Sequence, residues 1–275
     1  MNVLSPAEFV ESYAVVGEKK SKAPIWRLFL LGILAGLFIG LGGVTANTAA
    51  HSMTNVGMAR MVSGLLFPAG LIMVILTGAE LFTGNCLIPI SVFEGRATFG
   101  GMAKNWVAVY IGNFVGSVLL AAGTAYFGQM NYSAGGLATF TIKVAAAKCA
   151  LPFVNALALG IFCNILVCAA VMMAVSGKAL IGKAIGAYVP VAVFVICGFE
   201  HCIANMFFVP AGLFAMTVPK YAALAAEAGL DTTLLTWGNF LLKNLLPVTL
   251  GNIIGGVGFA AAIWSAYRKN AKAAA

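Results

Sequence analysis

Charge is scarce in this sequence. Asp, Glu, Lys and Arg together make up 9% of its 275 residues, against 61% hydrophobic residues and a mean hydropathy of +0.99. A water-soluble domain of this length cannot hide so much apolar surface, which excludes that class and leaves a polytopic membrane protein. The short alternating segments of a transmembrane β-barrel are missing too; the apolar runs are long, so the spans are helical. No CxxC pair occurs among the six cysteines (Cys86, Cys149, Cys163, Cys168, Cys197 and Cys202), and no zinc-type ligand spacing accompanies them. They read as small buried apolar residues, and neither a metal nor another cofactor is expected. A net charge of +8 does not mark nucleic-acid binding here, because the cations are scattered between the spans. The first 22 residues also lack the basic start and apolar centre of a cleaved signal, and carry Glu8 and Glu11 instead, so the segment is expected to stay on the mature protein.

Glycine, by contrast, is abundant: 32 residues, as suits helices packing closely in lipid. Ser5, Pro6 and Glu8 form a helix-start pattern, and Phe9, Val10, Tyr13 and Val16 then share one face. Residues 1–24 are therefore expected to hold a short amphipathic helix, on the membrane surface or against the bundle. Six spans follow, at about 26–50, 60–92, 104–128, 152–176, 184–216 and 234–266, within a channel domain covering 25–270. With both termini cytoplasmic, that side carries Lys19, Lys20, Lys22, Arg27, Arg96, Lys104, Lys178, Lys183, Arg268, Lys269 and Lys272. The other side keeps Arg60, Lys143, Lys148, Lys220 and Lys243, and this asymmetry favours both ends inside.

The halves of the chain resemble each other. "GAELFTGN" (Gly78 to Asn85) and "GFEHCIAN" (Gly198 to Asn205) share G-x-E-x4-N, while "NWVAVYIGNFVG" from Asn105 and "NLLPVTLGNIIG" from Asn244 share N-x6-G-N-x2-G. "GILAG" from Gly32 matches "GIFCN" from Gly160 more weakly. Three matches in one order make a repeat, at about 25–130 and 150–268. Each copy has three spans, an odd number, so the copies enter the membrane from opposite sides. Such inverted repeats place a substrate path at their interface, near the bilayer midplane, lined by broken helices. Here the second and fifth spans are broken, in the two G-x-E segments, and non-helical backbone at that depth must be buried or face a cavity.

Intramembrane polar residues are costly and so point to function. Glu80 and Glu200 occupy one repeat position, where the favoured role is accepting hydrogen bonds from backbone amides exposed by each break; substrate contact is the alternative. Asn85 and Asn205 close the same motifs. His201, one of two histidines, stands at the second break, where it can offer a proton to a weak base or stabilise an anion. Thr83 supplies a hydroxyl in the first break and can face it. A half-helix starting after each break would aim free amides at the midplane. Lys148 reads equally as an attractor of anions at the outer entrance or a solvated lysine. Asn164 and Asn252 either join helices or face the pore. Phe67, Leu71, Leu81, Phe82 and Phe194 singly read as packing, and together as apolar constrictions above and below His201, which pass a neutral molecule more easily than a bare anion.

The segments "GAELFTGN", "AKNWVAVYIGNFVG", "GIFCNILVCAA", "GFEHCIANMF" and "PVTLGNIIGG" resemble the formate/nitrite transporter family over nearly the whole chain. The resemblance implies an aquaporin-like six-helix protomer, a homopentamer with a pore in each protomer, and passage of formate, nitrite or hydrosulfide across a bacterial inner membrane. It implies Thr83 and His201 as a central pair, supporting roles for Lys148, Asn164 and Asn252, and constrictions at Phe67, Leu71, Leu81, Phe82 and Phe194. An aquaporin-type neutral-solute channel is the alternative, but its "NPA" motif is absent. A membrane enzyme pairing His201 with Glu200 or Cys202 is disfavoured, because neighbours on one backbone rarely aim at a common atom.

Overall fold

A computed structural model describes residues 3–268. Lys269 and Lys272, and the last two residues of the expected channel domain, lie outside that range. The described chain is helical, with six helices long and apolar enough to cross a membrane. In chain order the elements are α1 (Pro6–Lys22), α2 (Ile25–Ala50), α3 (Val56–Thr77), α4 (Phe82–Phe93), α5 (Phe99–Tyr126), α6 (Gly136–Cys149), α7 (Phe153–Ser176), α8 (Leu180–Cys197), α9 (Cys202–Thr217), α10 (Pro219–Glu227) and α11 (Trp237–Tyr267). The spans fall where hydropathy places them, and the second and fifth are interrupted as the motifs require. Helices α6 and α10 were not anticipated, since 14 and 9 residues are too short to register as spans.

The N-terminal helix lies against the bundle. Ser5 and Glu8 form the capping box, and the buried face is Phe9, Val10, Tyr13, Ala14, Gly17 and Ser21. A Cβ at Gly17 would overlap the Ser91 hydroxyl, so glycine lets α1 sit directly on α4. Tyr13 reaches further in, its hydroxyl donating to the Gly84 carbonyl at 3.4 Å. At its other end the chain is tied by Leu4 N–H to the Ser176 carbonyl, 2.9 Å.

Both copies of the N-x6-G-N-x2-G motif have a packing reason. α5 crosses α2 so closely that a Cβ at Gly112 would overlap Phe29 O, and one at Gly116 would overlap Ile33 O. The same holds where α11 crosses α7, with Gly251 on Leu157 O and Gly255 on Ile161 O. Small residues bring these backbones together where no hydrophobic effect can.

Candidate functional site

Each broken span stops the same way. Gly78 and Gly198, both at φ 74°, end their helices in the left-handed conformation that glycine adopts without strain. The chain then crosses to its neighbour: Glu80 N–H donates to Leu31 O at 3.1 Å, and Glu200 N–H to Leu159 O at 3.3 Å. Leu31 and Leu159 are each six residues past the start of antiparallel spans, about 9 Å along them at 1.5 Å per residue.

What satisfies the exposed backbone is asparagine. Asn113 Nδ2 donates to Gly32 O (2.8 Å) and Glu80 O (2.9 Å), while its Oδ1 accepts Phe82 N–H at 3.0 Å. Asn252 repeats this with Gly160 O (2.8 Å), Glu200 O (2.9 Å) and Cys202 N–H (2.9 Å). One amide side chain can serve both an orphan carbonyl and an orphan N–H, which a carboxylate cannot. Of the two readings of Asn252, the joining of helices is the geometry observed; its equivalent, Asn113, was missed as a site residue although the repeated motif contains it.

The glutamates do something other than expected. Instead of accepting from break amides, Glu80 takes Lys20 Nζ on both oxygens at 2.8 Å and Asn85 Nδ2 at 2.7 Å. Glu200 takes Lys148 Nζ at 2.9 and 3.0 Å and Asn205 Nδ2 at 2.6 Å. A carboxylate this buried needs a cation, since desolvation of an unpaired charge costs several kilocalories. Asn105 and Asn244 complete the networks, receiving Asn85 and Asn205 at 2.8 Å each and donating to the carbonyls of Lys20 and Lys148. Lys148 is thus not a solvated lysine: its side chain is 16% exposed and paired. Its counterpart, Lys20, lies in α1, so the equivalence of the halves extends to α1 and α6, one helix further than the sequence match. Nothing in the local sequence singles out Lys20, because its partner is 60 residues away.

The polar groups at the centre sit where the repeat is broken. Aligning the two G-x-E motifs sets His201 against Leu81 and Thr83 against Ile203; aligning "GILAG" with "GIFCN" sets Asn164 against Gly36. These three meet. His201 Nε2 lies 2.8 Å from Thr83 Oγ1, and Asn164 Nδ2 donates to the carbonyls of Thr83 (3.3 Å) and Asn252 (2.7 Å). His201 caps α9, its Nδ1 accepting Ala204 N–H at 3.1 Å. That bond assigns the tautomer: Nδ1 is the acceptor, so the neutral ring carries its proton on Nε2 and donates it to Thr83. The threonine hydroxyl hydrogen is then left for another acceptor. Asn164 Oδ1, fully buried, has no hydrogen-bond partner.

Beside His201 is a cavity of about 10 Å³, lined by Ile39, Phe67, Leu71, Leu81, Val167, Val191 and Phe194 as well as the histidine. That is room for about one water. Phe67, Leu71, Leu81 and Phe194 are thus brought together, with Ile39, Val167 and Val191 added. The Phe82 ring is turned elsewhere, edge-on to Trp106 and Tyr110 at 6.0 and 4.9 Å. The half-helices are unequal. α9 runs 16 residues, but after the first break only the single turn Phe82–Asn85 forms before Pro89 starts another. At both starts one amide is already bound by asparagine, Phe82 N–H by Asn113 and Cys202 N–H by Asn252.

The sequence pattern of formate/nitrite transporters matches residues 7–266. The chain belongs to the formate/nitrite transporter family. It is 39% identical over 260 residues to the formate channel FocA of Escherichia coli (strain K12), covering 93% of this chain and 91% of that one. With a probable formate transporter of Methanothermobacter thermautotrophicus it shares 36% over 284 residues, 96% of this chain and 97% of the other. Among solved structures, a pentameric formate channel with formate bound superposes with a TM-score of 0.79 at 36% identity, covering 88% of this chain and 97% of that one. An FNT family ion channel gives 0.80 at 26%, covering 94% and 98%. As a formate/nitrite transporter this chain is a membrane transport protein and not an enzyme. The geometry agrees, since the Glu200 carboxylate is spent on Lys148 and Asn205 rather than on the His201 ring.

Proposed function

We propose that this protein conducts small monovalent anions of weak acids, formate, nitrite or hydrosulfide, through a path between the repeats of each protomer. The observation that carries this reading is the His201–Thr83 pair at 2.8 Å beside an otherwise apolar cavity. A space for about one water strips a hydrated anion of its shell, so passage needs donors that replace the lost water and walls that yield. The Thr83 hydroxyl hydrogen, left free because Nε2–H donates to its oxygen, is one such donor, and Nε2–H becomes a second when the anion takes the place of that bond. Asn164 holds the carbonyl of Thr83 and with it the hydroxyl's position. Phe67, Leu71, Leu81 and Phe194 pass the neutral acid more readily than its anion, so an anion crosses when a proton drawn from the external solution reaches it at the centre, the neutral His201 ring having no acidic proton of its own to give. Lys148 and Lys20 neutralise the nearby carboxylates, which would otherwise repel the substrate.

In this reading the protein is a homopentamer in a bacterial cytoplasmic membrane with both termini in the cytoplasm. The pentamer rests on the likeness to a pentameric channel, and the orientation on the basic residues of α1 and the loops. Formate is the first substrate to test, given the names of the relatives. Uptake of formate, nitrite and hydrosulfide into proteoliposomes at several external pH values is the experiment. Wild-type flux is expected to rise as the external side is acidified, and His201→Ala to flatten that dependence. Identical pH profiles for the two would remove His201 from the mechanism; absence of anion flux would overturn the function.

A further inference from the structure

We propose that the elbow between α1 and α2 binds the headgroup of an anionic phospholipid. A cavity of about 380 Å³ opens there, lined by Val15, Glu18, Lys19, Lys22, Ala23 and Arg27. This volume lies within the range of small-molecule sites. Three cations face one carboxylate, and that carboxylate is already engaged by Lys22 at 2.6 Å and Arg96 at 3.7 Å. Behind the wall, Lys104 donates to the carbonyl of the lining residue Ala23 at 2.9 Å and adds a nearby positive charge. Among the described residues Lys19 and Arg27 have no ion-pair partner. The pocket therefore presents uncompensated positive charge, including a guanidinium suited to two phosphate oxygens at once.

The surroundings select a lipid over a free anion. Ile25 and Trp26, next to Arg27, are 60% and 66% exposed, and Leu30 and Leu34 follow Trp26 at four-residue steps on the same exposed face of α2. An acyl chain laid along that stripe brings its phosphate to the pocket, with the indole at headgroup level. The site also adjoins the first break. Lys20, beside Lys19, holds Glu80 and Asn85, so an anion bound at the elbow anchors the end of the helix that supports that network.

The test is native mass spectrometry of the full chain in detergent, titrated with phosphatidylglycerol, phosphatidylcholine or inorganic phosphate. Wild-type protein is expected to retain phosphatidylglycerol about tenfold more strongly than phosphatidylcholine, and millimolar phosphate to leave the lipid in place. Lys19→Gln with Lys22→Gln and Arg27→Gln should abolish the preference. Should that variant fail to assemble, Arg27→Gln alone must weaken retention severalfold, while Lys19→Arg with Arg27→Lys must keep it. Equal retention by wild type and the glutamine variants overturns the proposal. Complete displacement by inorganic phosphate also overturns it, by assigning the pocket to a free anion.

Discussion

Replacing Asn113 with alanine removes three hydrogen bonds from a fully buried side chain and leaves Glu80 O and Phe82 N–H without their partner. Gly32 O keeps its place within α2. Two orphaned buried backbone groups at about 1–3 kcal/mol each amount to about 2–6 kcal/mol. For a chain of this size each kilocalorie shifts the melting temperature by roughly 2–4 °C, so a fall of about 4–24 °C is expected. Asn113→Asp should be worse than alanine. It keeps an acceptor for Phe82 N–H but turns an oxygen toward the carbonyls of Gly32 and Glu80. Asn252 makes the equivalent three bonds at similar distances, so Asn252→Ala should lose about as much. Intrinsic-fluorescence melting of the purified protein in detergent reads all three variants. A shift below about 2 °C in either alanine variant, or an aspartate milder than alanine, would refute the assignment of break support to asparagine.

Gly36→Ala places a Cβ onto the Asn113 backbone carbonyl, which a helix crossing cannot relieve, whereas Gly100→Ala meets no atom within 4 Å. Melting should fall by several degrees for the first and stay within about 2 °C for the second. At the N-terminus, the Ser5 backbone N–H first, and then its hydroxyl, hold the Glu8 carboxyl below its usual range. A depressed folded-state value means that the capping support is present above the unfolded value and lost over the interval below it, as pH falls through the folded one. Proteolysis within α1 should therefore accelerate over that interval in wild type. In Glu8→Gln, whose amide oxygen still accepts but does not titrate, the acceleration should vanish; an unchanged pH response would detach Glu8 from the stability of α1.

Hydropathy and the paired motifs made much of this molecule legible, because both are local. A span declares itself by its own composition, and a break that needs a left-handed glycine, a buried carboxylate and an amide writes all three within eight residues. The repeated Asn-containing motif of the third and sixth spans was equally visible, yet its meaning was not. Asn113 and Asn252 act on backbone more than 30 residues away, and only the packing of α5 on α2 and of α11 on α7 brings them there. Lys20 had the same difficulty, as did Phe82, whose orientation is decided by rings on α5.

By itself, then, the sequence determined a membrane-embedded, six-span chain with two opposed halves, since scarcity of charge and order of motifs do not depend on folding. Tertiary structure decided the partners: that the glutamates answer to lysines on α1 and α6, that asparagines hold the breaks, and that His201 is a neutral donor to Thr83. Those outcomes turn on distances between segments tens of residues apart, and a hydrogen bond or ion pair exists only where packing brings donor and acceptor within about 3 Å.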